Sequence, residues 1–133
     1  MLTFDKIRDL ERAERENRQL QRLPEDIMEQ IKEYLHKKEK MKQSSSDAAE
    51  LDNVKNTIRR FFELREKKTL DAALYTVKTG LPIENLTKYE ERLFYALIDD
   101  VKRYREIFFS ELQKEPVVRQ KKTVYNVRRS IPV

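Results

Sequence analysis

A chain of 133 residues, 38% hydrophobic and 40% charged, is long enough for one domain with its own core. Its abundance of Lys, Arg and Glu favours helices with solvated faces over sheet. There is no cysteine, which excludes disulfides, thiolate metal sites and cysteine nucleophiles, and a single glycine, which excludes glycine-rich phosphate loops. The net charge of +5 is unevenly placed. Five of the 29 basic residues and none of the 24 acidic ones follow Pro116, so residues 1–116 carry 24 of each. A balanced body with a basic tail is poorly suited to bulk neutralisation of phosphates. No apolar run reaches the length of a signal peptide or a membrane span, and the expected location is the cytoplasm.

The elements follow in chain order. Thr3 can cap a first helix over 4–18 with Phe4, Ile7 and Leu10 on one face. Its polar second half reads as leaving the core or as a fraying end. A second helix is expected over 24–42, with Pro24 at its first position, Glu25 and Asp26 at the positive end of the dipole, and Ile27, Met28, Ile31, Tyr34 and Leu35 as its stripe. Lys37, Lys38, Lys40 and Lys42 close it. The serines of "QSSSD" at 43–47 break the chain, with Ser46 or Asp47 as the next cap. A third helix over 47–78 stops at Gly80, with Pro82 beyond. At 1.5 Å per residue it spans about 48 Å and is the expected spine. Thr87 and Glu90 form a Thr-x-x-Glu capping box that opens a fourth helix, which Pro116 ends. Leu93, Leu97, Val101, Tyr104 and Phe108 lie on one face with Phe94, Ile98, Ile107 and Leu112 beside it, and so wide a stripe predicts a central position. The last segment, with Thr123, Val124, Tyr125 and Val127, has strand composition. The fold expected is all-α: a bundle of about four helices with one long spine, followed by an extended or β tail.

No residue pattern points to an enzyme or a cofactor. His36, the single histidine, sits among lysines near a helix end and lacks the further ligands zinc requires. Asp99 and Asp100 are neighbours on a helix and point about 100° apart, so they do not converge on one reacting atom. Off-stripe Tyr95 and Phe109 on the fourth helix mark a candidate second buried face, such as a subunit interface.

The middle of the third helix, "RRFFELREKK" at 59–68, is the least ordinary stretch. Leu51, Val54, Ile58 and Phe61 set a phase that next reaches Arg65 and then Lys68 or Thr69, so the apolar stripe reads as interrupted. Phe62, Glu66, Leu70 and Leu74 form a second row, and the stripe is expected to shift onto it. Arg65 then sits at the crossover with its stem over apolar surface and its head paired to acids. Glu63 and Lys67 are spaced for an i,i+4 pair. Phe62, Arg65 and Lys68 join Tyr95 and Phe109 as candidate interface residues.

In combination, "LPEDIMEQIKEYL", "IRRFFELREKKTLDAAL" and "NLTKYEERLFYALIDDVKRYRE" resemble subunits of the GINS complex of archaeal and eukaryotic DNA replication. The likeness is to the archaeal type whose helical domain precedes a small β domain, and it covers residues 1–115. It implies a helical domain over 1–115, then a basic linker and the first strand of a truncated or absent β domain over 116–133. It further implies a non-catalytic scaffold without cofactors. Such a subunit assembles with other GINS subunits into a tetramer that joins the MCM replicative helicase to a RecJ-like or Cdc-type partner. The competing reading is a helical nucleic-acid-binding module, using the Lys37–Lys42 cluster and Arg119, Lys121, Lys122, Arg128 and Arg129 of the tail.

Overall fold

The computed structural model describes residues 1–118. Four helices follow one another: α1 (Phe4–Glu16), α2 (Ile27–Lys40), α3 (Ser45–Thr79) and α4 (Lys88–Leu112). No strand occurs among the described residues, so the all-α expectation holds there. The expected tail strand lies outside them.

Local chemistry explains most of the helix ends. The Thr3 hydroxyl accepts from the Lys6 N–H at 3.2 Å and starts α1. Ser44 caps α3 by accepting from the Asp47 N–H, while the Asp47 carboxylate accepts from the Gln43 N–H. The two bonds settle the cap at Ser44, ahead of the expected Ser46 or Asp47. At the far end Gly80 turns left-handed, φ 74°, and its N–H reaches the Thr76 carbonyl at 2.7 Å. The Thr87–Glu90 capping box forms in both directions. Pro24 departs from expectation. It lies in a turn closed by the Ile27 N–H on its carbonyl at 3.1 Å, and α2 begins three residues later than predicted. The ring-fixed φ of proline suits such a turn as well as a first helical position, so sequence alone does not separate the two. Similarly, α4 ends at Leu112, ahead of Pro116.

The centre of the molecule is α3. Each of the other three helices packs on it, and no Cα atoms of α1, α2 and α4 approach one another within 8 Å. The central role expected of α4 is therefore taken by α3. Along α3 the buried line is Leu51, Val54, Thr57, Phe61, Arg65, Thr69 and Ala73. This is one continuous row at helical spacing, and it passes straight through the arginine. The predicted shift onto Phe62, Glu66, Leu70 and Leu74 does not occur, and all four are exposed. What changes along the row is chemistry, from apolar to polar and back.

Two apolar clusters result. At one end Leu2 and Ile7 of the N-terminal segment meet Tyr34 of α2 and Val54 of α3, with Leu10, Ile31 and Ile58 against them. At the other, Ala73 of α3 meets Phe94 and Ile98 of α4, with Val77, Ile83 and Leu86 around them. Burying each larger side chain contributes about 1.5–3 kcal/mol. The second half of α1, expected to leave the core, stays in it, because Glu11 and Glu14 are themselves buried. Glu11 pairs with Arg15 at 3.1 Å and approaches Arg60 of α3 at 3.9 Å.

Candidate functional site

Between the two clusters lies a buried ionic node. Arg65 is 2% exposed and Glu14 is fully buried. A guanidinium has five N–H donors, and here each has an acceptor. Nε donates to Glu90 Oε2 at 2.9 Å. One Nη1 bond goes to Glu14 Oε1 at 3.2 Å and the other to the Gln21 carbonyl at 2.6 Å. Nη2 donates to Glu90 Oε1 and, at 3.0 Å, to the Asn85 carbonyl. The Glu90 contact is the bidentate fork that a planar guanidinium matches best.

Lys68, one turn further along α3, completes the set. Its ammonium donates to Glu14 Oε2 and to the Glu14 carbonyl, both at 2.6 Å, and to the Gln19 carbonyl at 3.0 Å. Glu14 Oε2 also accepts the Gln21 N–H at 3.2 Å. Glu90 Oε1 also accepts the Thr87 N–H at 2.9 Å, so one carboxylate both caps α4 and holds Arg65. Two cations thus face two carboxylates, and the node is neutral as a whole. Burial alone pulls the Arg65 guanidinium pKa down. The hydrogen bond and charge of Glu90, reinforced by Glu14, outweigh it, and the net direction is up. The group stays charged.

Backbone geometry serves the same centre. Asn85 is the one non-glycine residue at positive φ among the described residues, at 69°. Asparagine enters that region more readily than most residues. The conformation coincides with its carbonyl accepting from Arg65 and its side-chain amide donating to the Leu20 carbonyl at 3.1 Å. The α1–α2 connection and the α3–α4 connection are thereby stitched together over the arginine.

The node is satisfied within its own chain. Arg65 has no donor left for a ligand, and it does not line the open groove of about 1070 Å³ between the starts of α2 and α4. Among the described residues no group of three His, Cys, Asp or Glu side chains is arranged to hold a metal. His36 is exposed, as are Asp99 and Asp100.

The candidate interface residues divide accordingly. Arg65 and Lys68 are engaged inside their own chain, so neither offers a free face to a second subunit. Phe62, Tyr95 and Phe109 are each more than half exposed. Tyr95 and Phe109 are not brought together, since fourteen residues of α4 separate them by about 21 Å. Phe109 instead joins a group that sequence reasoning assigned to the core. Tyr104, Ile107, Phe108, Phe109 and Leu112 are all half to two-thirds exposed along the second half of α4. Their rings are ordered against one another, Tyr104 stacking on Phe108 at 6.2 Å and Phe108 meeting Phe109 edge-on at 5.5 Å.

The expected Glu63–Lys67 pair is replaced by Lys67–Asp71 at 3.3 Å, fully at the surface. Within the Lys37–Lys42 cluster, Lys38 pairs with Glu50 and Lys42 with Glu39, both at 3.2 Å. That dilutes the cluster as a phosphate-binding surface. The tail cations Arg119, Lys121, Lys122, Arg128 and Arg129 lie outside the described residues. No helix among the described residues is long and apolar enough to cross a membrane. Compared with known protein families, curated proteins and solved structures, the chain gives no match.

Proposed function

We propose that this chain is a non-catalytic subunit of a replication scaffold of the GINS type, built to assemble with other subunits through α4. The sequence resemblance over residues 1–115 supplies the family. The observation that carries the assembly reading is the exposed apolar second half of α4. Single exposed apolar residues need no explanation, but five large ones in one helical half do. Together they leave on the order of 500 Å² of apolar surface in water, near the upper end of what a monomer carries. Covering such a surface is a large gain for association, and a rigid helix positions it at little ordering cost. In this reading the subunit joins a GINS tetramer. The tetramer links the MCM helicase to its RecJ-like or Cdc-type partner, and ATP chemistry stays with the helicase.

The test is native mass spectrometry of the chain alone and co-expressed with a companion GINS-type subunit, followed by capture of the replicative helicase. A defined oligomer that retains the helicase is the expected result. A chain that remains monomeric in both preparations overturns the proposal.

A further inference from the structure

We infer that the uncovered end of α4 packs against the same end of α4 in a second copy of the chain, antiparallel, about a two-fold axis level with Phe108 and Phe109. The inference rests on the reading of α4 as an assembly face and adds the partner and its geometry.

The face follows from how α3 and α4 run. Arg65 of α3 holds Glu90 of α4, and further along Ala73 meets Phe94 and Ile98, so the two helices are parallel with residues about 25 apart in sequence lying level. At that offset Thr79, the last residue of α3, comes level with Tyr104. From there α4 continues alone to Leu112, about two more turns or some 12 Å. At 100° per residue Val101, Arg105, Phe108, Phe109 and Leu112 all fall within about 60° of the direction in which Phe94 points at α3. Exposure along that one face records where α3 runs out: Phe94 3%, Ile98 8%, Phe108 47%, Phe109 55%, Leu112 64%. Ile107 lies on the opposite flank, with Arg103 and Lys114 on either side, and is no part of this face. The result is a notch. Its wall is the apolar end of α4, and its floor is the blunt end of α3, where Leu81 is half exposed.

A second copy fills that notch with an end of matching length. A two-fold axis perpendicular to α4, midway along its free end, sets residues 105–112 of one copy beside 112–105 of the other. Each tip then reaches the blunt end of the partner's α3 without running into it, and each α4 continues the helix contact that α3 begins. Phe108 and Phe109, edge-on at 5.5 Å within one chain, lie beside the partner's Phe108 and the partner's Phe109 at the axis. The charges agree. Arg105, half-buried, is the one charged residue on this face of the free end, and it comes level with the partner's Leu112. Of the four helices α4 alone has no basic residue in its last turn, and Lys114 just beyond is paired to Glu111 at 3.1 Å. The partner's Arg105 supplies the cation that the negative end of the dipole lacks, and symmetry does so twice. Tyr104, Phe108, Phe109, Leu112, Leu81 and the Arg105 stem together offer on the order of 600 Å² per copy, the lower end of what a specific interface buries.

Sedimentation equilibrium of the full chain reads the proposal. The wild-type chain is expected to dimerise in the micromolar range. Phe109→Asp abolishes the dimer, whereas Ile107→Asp, on the opposite flank, leaves it unchanged. Arg105→Glu places an acid at the negative end of the partner's helix, twice per dimer, and weakens association by on the order of tenfold. Far-UV circular dichroism checks that each variant keeps its helices. Orientation is read by pulsed electron paramagnetic resonance on Ala96→Cys carrying a nitroxide, the single thiol in a chain without cysteine. Antiparallel free ends hold the two labels about 40 Å apart, and a parallel pair would bring them within about 20 Å.

A wild-type chain still monomeric at about 100 μM, a concentration that populates micromolar complexes, overturns the inference. A companion-subunit complex in that case leaves the assembly reading intact. A dimer indifferent to Phe109→Asp or to Arg105→Glu, one lost on Ile107→Asp, or one with the labels at the short distance overturns it as well.

Discussion

Arg65 is the residue whose loss should cost most. Truncating it to alanine takes a charged donor from the buried Glu14, from the partly buried Glu90 and from two backbone carbonyls. Removing one partner of a buried pair costs about 3–5 kcal/mol. Lys67→Ala, two residues on but fully at the surface, is expected to stay within about 0.5 kcal/mol of wild type. Urea denaturation of the two variants measures the contrast, and near-equal midpoints would mean that the node adds no net stability. Arg65→Lys is no rescue, since one ammonium cannot reproduce five donors spread over a planar fork. The arginine's position was legible in the sequence, because the phase of Val54, Ile58 and Phe61 runs onto it. Its role was not. The carboxylates that make burial tolerable lie 51 and 25 residues away. A charge on an apolar row read in isolation looks like a gap in the row. The available clue was Glu14 itself, seven residues after Ile7 on the same face of α1.

At the same scale, Tyr34 carries a buried hydroxyl with no hydrogen-bond partner. Burial, the largest influence, raises its pKa; Lys38 opposes and Glu50 adds. A phenol whose folded pKa exceeds its unfolded value near 10 favours folding below that value, and the contribution is lost as pH rises through the folded pKa. Tyr34→Phe removes both features. It is expected to be neutral to about 1 kcal/mol more stable at pH 7. It should also lose less stability than wild type between pH 9 and 11, as followed by urea denaturation at about one-unit pH steps.

At the scale of elements, what was legible was what is local. Thr3, Gly80 and the Thr87–Glu90 box end their helices through bonds spanning three or four residues. The start of α4 offers a graded test, because Glu90 serves two functions. Thr87→Ala removes only the cap and should cost about 1 kcal/mol. Glu90→Gln keeps an amide oxygen for the cap but withdraws the charge facing Arg65, and should cost more, about 2–4 kcal/mol. Equal costs by chemical denaturation would mean that the fork to Arg65 contributes nothing beyond capping. The misjudged element was α4 as a whole. Its stripe is apolar, but periodicity does not say what covers such a face or how much of it stays in water. In this chain α3 covers the first half, through Phe94 and Ile98, and leaves the second half open.

For the whole molecule, three helices rest on one spine, and the backbones of α1 and α4 do not approach each other. Such an arrangement has an obvious weakness: α1 and α4 could each detach without disturbing the other. The node changes that. Glu14 is on α1, Glu90 is on α4, and a single guanidinium binds both. Release of either helix leaves its neighbour's partner charge exposed to a half-empty shell, so each departure makes the other easier. Arg65 is in this sense a thermodynamic coupler, and it should make the domain melt as one unit. Native-state hydrogen exchange reads this directly. In the wild-type chain the amides near Glu14 and those after Glu90 should open with the same free energy. In Arg65→Ala they should separate into two independently opening segments, each following the stability of its own contact with α3.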